Sequence, residues 1–321
     1  MDVILLFPGQ GSQKPGMGKE LAEAFPAARD VFHRIDAALG VPLSTVCFEG
    51  PAEELTQTHN AQPALFAHGM AAWATVVDAI GGKVVAAAGH SLGEHTAYCA
   101  SGAVTVERGA KLVRRRGEIM YHVGLERPGT MAALLGTLAT PVDELCAQAT
   151  REAGTVVAAN YNTDEQTVVS GEIAGVERVM ELAKAAGAKR AIKLAVSGAF
   201  HSPLMAPAES ELAAAIAEAD FVDPNFPIYS NVTTQPSTSA ATARETLVQQ
   251  LTSPVRWVEQ VRNMAAQYPH ALYIELGPGN VLSGLVSRIV RGARTMICGT
   301  PADVEAVVQH ITAAPAIGQD A

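Results

Sequence analysis

A chain of 321 residues that is 48% hydrophobic and 17% charged is long enough for one large core with a smaller subdomain, and is no peptide scaffold. Its net charge of −9 offers no positive field for a nucleic-acid backbone, and 28 Gly and 18 Pro without any low-complexity tract exclude a fibrous or disordered chain. Apolar stretches such as Val3 to Phe7 and Val84 to Ala88 fall far short of the roughly 20 residues that span a bilayer, and the N-terminus lacks a basic n-region and a cleavage site, so the chain is expected to be cytoplasmic, with no membrane or nucleic-acid partner.

The first expected strand, Val3 to Phe7, runs into Phe7-Pro8-Gly9-Gln10-Gly11-Ser12-Gln13. This glycine-rich turn matches neither the GxxxxGK[ST] phosphate loop nor GxGxxG. A helical pattern from Gln62 to Ile80 and the strand Val84 to Ala88 follow, an alternation that belongs to a parallel α/β sheet. Gly89-His90-Ser91-Leu92-Gly93 then stands between that strand and a helix-competent run from Glu94 through Ala100. GxSxG in a strand, turn, helix context is a nucleophile elbow, with the glycines permitting a tight turn and the serine hydroxyl lifted out at a helix N-terminus. The backbone N–H of Leu92 is one oxyanion donor. That of Gln10 is the candidate for the second, because turns at the carboxyl ends of parallel strands meet at one crevice.

The next helix, Val106 to Val123, carries Arg114, Arg115 and Arg116, which at about 100° per residue cannot share a face. Arg114 lies one turn from Lys111 and Glu118 on the polar face. Arg116 lies three or four positions from Leu112, Val113, Ile119 and Met120, so it projects from the apolar stripe and needs an anion. Two partners fit: an internal Asp or Glu, or a substrate carboxylate gripped by the planar fork.

After Arg127-Pro128-Gly129 the pattern changes to strand Met131 to Leu135, helix Pro141 to Glu152, strands Val156 to Asn160 and Gln166 to Ser170, helix Ala174 to Ala186 and strand Arg190 to Val196. This βαββαβ order predicts a ferredoxin-like subdomain, 127–196, inserted into a large α/β domain formed by 1–126 and 197–312. Residues 313–321 read as a frayed tail. Three histidines compete as base for the serine: His201, in the loop where the chain returns to the large domain, His95, one helical turn after Ser91, and His270. Cys47, Cys99, Cys146 and Cys298 are far apart, without CxxC or HExxH spacing, so free buried thiols and no metal are expected.

Taken together and in order, Phe7-Pro8-Gly9-Gln10-Gly11-Ser12-Gln13, Gln62-Pro63-Ala64, Gly89-His90-Ser91-Leu92-Gly93-Glu94, Arg116-Gly117, Gly198-Ala199-Phe200-His201 and Glu275-Leu276-Gly277-Pro278-Gly279 resemble the malonyl-CoA:acyl carrier protein transacylase family, including stand-alone acyltransferases of polyketide pathways. The match runs from about residue 3 to about residue 292, and implies an α/β-hydrolase-like large domain with a parallel sheet. It implies that Ser91 is acylated by malonyl-CoA, that His201 is its base, and that a main-chain carbonyl at Gln250 orients the histidine in place of a carboxylate. It also implies oxyanion donors at Gln10 and Leu92, the malonyl-carboxylate arginine at Arg116, and pocket positions at Gln62 and Met120. Phe200 resembles the malonyl-preferring pattern, although Gly198 departs from the His or Tyr of many modular acyltransferases. Lys189-Arg190 resembles a basic pair that docks an acidic acyl carrier protein. The expected reaction is ping-pong transfer, with no cofactor and with the coenzyme A thioester as substrate. Two rivals stand beside it. One is an acyl hydrolase, which as an esterase would want Asp220 or Asp223 with His270 and an HGGG-like loop. The other is a catalytically silent carrier-protein binding module.

Overall fold

The computed structural model describes residues 1–196 and 198–313. Ten strands are formed among them: β1 (Val3–Phe7), β2 (Val84–Gly89), β3 (Gly129–Leu135), β4 (Val156–Thr163), β5 (Gln166–Glu172), β6 (Arg190–Lys193), β7 (Ile228–Tyr229), β8 (Pro236–Ser237), β9 (Leu272–Leu276) and β10 (Arg294–Cys298). The larger sheet has the order β10-β9-β1-β2-β7-β8 and is parallel except at β7–β8. Every residue of β1 is buried: Val3, Leu5 and Phe7 join the core on one face, Ile4 and Leu6 the core on the other. An uninterrupted apolar run is what a central parallel strand needs when helices cover both faces. Register sets Phe7 opposite Gly89, so the loops after β1 and β2 leave the sheet side by side.

Helix Thr58–Ile80 is the long buried helix beside this sheet. With the short turn Gly81–Lys83 it is long and apolar enough by composition to cross a membrane, but 67% of its most apolar window lies buried inside the protein, as in the core helix of a globular fold. Pro63, within this helix, has no N–H for the His59 carbonyl four residues back. Arg114 Nη1 from helix Val106–Glu126 donates to that carbonyl instead, at 2.9 Å. The two helices come together at Gly117, where a Cβ would stand 2.7 Å from His59 Cα. That close crossing brings Arg116 against Gln62.

The smaller sheet, β4-β5-β3-β6, is antiparallel throughout, with helices Val142–Glu152 and Ile173–Ala185 against one face. Its order and the βαββαβ connectivity are ferredoxin-like. Ala132, Leu134, Val169, Val176 and Val179 form its own core, whereas Met131, Ala133 and Val168, pointing to the opposite face, join the main core. The strand expected to reach Val196 stops at Lys193. Leu194 N–H makes the last bond to β3, to Met131 O at 2.9 Å, and Val196 N–H turns back to Leu194 O, so Leu194 to Val196 leave the sheet and line a cleft. Of the expected tail, Ala313 closes helix Pro301–Ala313, and 314–321 lie outside the described residues.

Candidate active site

The elbow forms where β2 meets helix Leu92–Ala100, with Ser91 at the junction at φ 52 and ψ −106. The left-handed strain therefore sits on the serine, and Gly89 and Gly93 serve close approach rather than unusual dihedrals. A Cβ on Gly89 would meet Gly93 C at 1.9 Å, and one on Gly93 would meet Phe7 O at 1.9 Å. Non-glycine residues at positive φ cost on the order of 1–3 kcal/mol and persist only where surroundings hold them. Here Asn231 does so: its Oδ1 accepts from Ser91 N at 2.8 Å, and its Nδ2 donates to Gly89 O at 2.7 Å.

Ser91 Oγ lies 2.7 Å from His201 Nε2. On the far side of the ring, Nδ1 faces two carbonyl oxygens, Gln250 O at 2.9 Å and Ser253 O at 3.2 Å. Carbonyls only accept, so Nδ1 carries the proton and the Nε2 lone pair faces the serine hydroxyl. Burial, reinforced by the positive charge of Arg116, lowers His201 to about 3 and keeps the imidazole neutral.

Arg116 is 1% exposed. Its Nη1 donates to Gln62 Oε1 at 2.8 Å, and its Nη2 to Gln250 Oε1 at 3.0 Å and Ser91 Oγ at 3.1 Å. The neighbours Arg114 and Arg115 pair with Glu118 and Glu211, but among the described residues no ion pair includes Arg116, and its Nε has no partner. A guanidinium is thus buried on neutral oxygens beside the nucleophile; burial lowers it to about 10, which leaves it charged at neutral pH. Ser91, His201 and Arg116 line a cleft of about 450 Å³ together with Gln10, Gln62, Leu92, Met120, Asn160 and Phe200. A serine activated by a neutral imidazole, next to a cation in no ion pair among the described residues, is equipped to accept an acyl group that carries a negative charge.

The model of the acyl transferase domain family matches residues 4–315. The malonyl CoA-acyl carrier protein transacylase of Bacillus subtilis (strain 168) is 43% identical over 309 residues, covering 96% of this chain and 97% of that one. The chain belongs to this transacylase family. Among solved structures, the acyl-carrier-protein-S-malonyltransferase of Bartonella henselae superposes with a TM-score of 0.92 at 40% identity, covering 97% of this chain and 100% of that one. A malonyl-transacylase solved in complex with its type II polyketide synthase acyl-carrier protein gives a TM-score of 0.92 at 36% identity, with 97% and 100% covered.

Within this acyl transferase framework the sequence candidates separate clearly. Gln62, besides holding Arg116, donates from Nε2 to Met120 Sδ at 3.3 Å. Gln10 reaches the cleft because Gly9 packs against the elbow, where a Cβ would meet His90 O at 2.6 Å. Among the described residues neither Gln10 N–H nor Leu92 N–H has a hydrogen-bond partner. Phe200 is buried in the cleft wall. Lys189 and Arg190 are exposed at the start of β6 and belong to no ion pair among the described residues.

The competitors lie elsewhere. His95 is buried with both ring nitrogens unpartnered, on the elbow helix but without a bond to Ser91. His270 is exposed, and its carbonyl accepts from Arg294. Asp220 pairs with Arg108 at 2.5 Å, and Asp223 caps Ala240 N at 2.7 Å, so neither stands behind a catalytic histidine. The sequence reading missed Asn231, Ser253 and the Glu94 carboxyl. Asn231 and Ser253 act through tertiary contacts that leave no local pattern. Glu94 did carry a signal, the one Asp, Glu, Lys or Arg in the elbow helix.

Proposed function

We propose that this enzyme moves a malonyl group from malonyl-CoA to the phosphopantetheine thiol of an acyl carrier protein through a Ser91 acyl-enzyme. The observation that carries the reading is Arg116, charged and without a carboxylate partner, 3.1 Å from the nucleophile oxygen. His201 Nε2 takes the Ser91 proton as Oγ attacks the thioester carbonyl, and the same nitrogen returns it to the departing coenzyme A thiolate. The N–H groups of Gln10 and Leu92 receive the oxyanion in both tetrahedral intermediates. Gln250 and Ser253 carbonyls hold the imidazolium that forms between them. Arg116 grips the free malonyl carboxylate, with Gln62 and Met120 fixing its position and Phe200 limiting the substituent. Each proton and each developing charge meets a protein group, so the reaction as proposed draws on no metal or redox cofactor.

The carrier protein approaches from the side of Lys189 and Arg190, which are exposed and in no ion pair among the described residues and so suit an acidic partner. A cytoplasmic setting belongs to the same reading and is supported by four buried free cysteines. Intact-mass analysis tests the scheme. The wild-type enzyme gains one malonyl group from malonyl-CoA and loses it faster to holo carrier protein than to water. Ser91→Ala, which fits the same turn, folds and gains none. A malonyl adduct on Ser91→Ala, or equal loss to water and to carrier protein, would refute it.

A further inference from the structure

Glu94 is fully buried on helix Leu92–Ala100 and belongs to no ion pair among the described residues. Acidic side chains are almost never buried this completely unless paired. Its Oε2 accepts from Gln250 Nε2 at 2.6 Å and from Asn231 N at 3.1 Å, and the Ser230 side chain also favours the ionised carboxyl. The Gln250 amide sits between opposite charges. Its nitrogen faces Glu94 Oε2, Ser91 O at 3.1 Å and Asn231 Oδ1 at 3.2 Å, and its oxygen faces Arg116 Nη2 at 3.0 Å. An amide has one accepting end and one donating end. Turned over, it would set N–H groups against the guanidinium and its oxygen against the carboxylate. Of the three oxygens around the nitrogen, the Glu94 carboxylate makes the shortest contact and the one that charge strengthens.

We propose that Glu94 is a positioning residue for Arg116, holding the Gln250 amide so that its oxygen faces the guanidinium. The proposal rests on the malonyl-transfer reading. Its physical point is that a carboxylate placed directly on Arg116 would occupy the donors that the malonyl group needs. With one amide between them, the carboxylate fixes the fork and acts on its charge only at longer range, without occupying its donors. The same oxygen anchors Asn231, whose Oδ1 holds Ser91 N, so a single side chain sets both the arginine and the strained serine.

The test compares rates of Ser91 acylation by malonyl-CoA and acetyl-CoA, read by quenched intact-mass analysis, in Glu94→Leu and Glu94→Gln, each alone and combined with Arg116→Ala. Glu94→Leu removes the acceptor and lowers the malonyl-to-acetyl ratio at least about tenfold, the size of a lost hydrogen bond to a charged group. Glu94→Gln keeps an oxygen at the same place and holds the ratio within about threefold of wild type or above it. In the Arg116→Ala background neither substitution changes the ratio, because the residue they act through is gone. A folded Glu94→Leu with the wild-type ratio overturns the proposal, as does a ratio change that persists without Arg116. Equal falls for both thioesters would assign Glu94 to packing alone and also overturn it. Should Glu94→Leu fail to fold, Gln250→Leu, which retains the main-chain carbonyl on His201, must reproduce the loss of ratio, and an unchanged ratio there overturns the proposal. A wild-type enzyme that takes up no malonyl group refutes the functional reading itself, which keeps the two failures distinct.

Discussion

A guanidinium held by two glutamine oxygens and a serine hydroxyl is fixed in direction but keeps its charge, and in the proposed mechanism this is the residue-scale basis of selectivity. On that reading Arg116→Ala is expected to remove a contact to the malonyl carboxylate worth roughly 3 to 5 kcal/mol in a desolvated site. Acylation by malonyl-CoA then falls by orders of magnitude, while acetyl-CoA gains relative to it, since a neutral acyl group no longer leaves a buried cation unpaired. Rates with both thioesters and a melting curve decide the matter. An unchanged malonyl-to-acetyl ratio, or a proportional fall in both with a lower melting temperature, would return Arg116 to a structural role.

At the scale of elements, the site depends on how closely helices and loops approach. Helix Val106–Glu126 crosses helix Thr58–Ile80 at Gly117, where a Cβ would stand 2.8 Å from Thr58 O as well as against His59. Both obstacles are backbone and cannot swing aside. Gly117→Ala is expected to push the helices apart, lowering stability by about 1–3 kcal/mol, the usual range for overpacking. Arg116, the preceding residue, moves with the helix away from Gln62, so malonylation falls more than stability alone explains. Chemical denaturation gives the first quantity and acylation rates at a temperature where the variant is folded give the second. A destabilised variant with full malonyl selectivity would show that the crossing does not position the arginine.

For the whole molecule, two features have consequences in solution. The chain carries net charge −9, yet Lys189 and Arg190 stand exposed at the start of β6 and belong to no ion pair among the described residues. Lys189→Glu with Arg190→Glu should slow transfer to carrier protein about tenfold or more at low salt and leave self-acylation from malonyl-CoA intact, because rim charges act mainly on encounter. Equal loss in both half-reactions would place the dock elsewhere. Burial also lowers His68 to about 4, His201 to about 3 and His95 well below its ordinary value. The unfolded chain takes up these protons near pH 6.5 while the folded one refuses them, so their contribution to stability is present above pH 6.5 and lost as pH falls toward 4. Glu94, raised by burial to about 7, binds a proton in the folded state over the same window and opposes part of the loss. Burial lowers His59 and His90 as well and raises Glu275 as it does Glu94, so five histidines stand against two carboxyls and stability falls with pH by about 1.4 kcal/mol per pH unit for each net proton. Urea midpoints at pH 7.5 and pH 5.5 measure it, and a higher midpoint at pH 5.5 would contradict the assignment.

The amino-acid sequence alone determined the elements whose information is local. The all-apolar β1, the glycine-spaced serine after β2 and the βαββαβ run each depend on residues adjacent in the chain, and helical spacing was enough to set Arg116 apart from Arg114. What spacing could not decide was the partner. An internal carboxylate and a substrate carboxylate predict the same arginine on the same apolar stripe, and only the packed structure shows Gln62, Gln250 and Ser91 around it. The choice among three histidines was tertiary in the same way. The pairing of Ser91 with His201 joins positions 110 residues apart, and the carbonyls behind the ring come from 49 and 52 residues further on. Backbone oxygens have no side-chain identity, so no residue type at 250 or 253 could announce them from composition or periodicity. Glu94 marks the boundary between the two kinds of knowledge. Its charge, the one carboxylate in its helix, was visible in the sequence, but its work is done through an amide 156 residues away, and hydrogen bonds of that span exist only once the chain has packed.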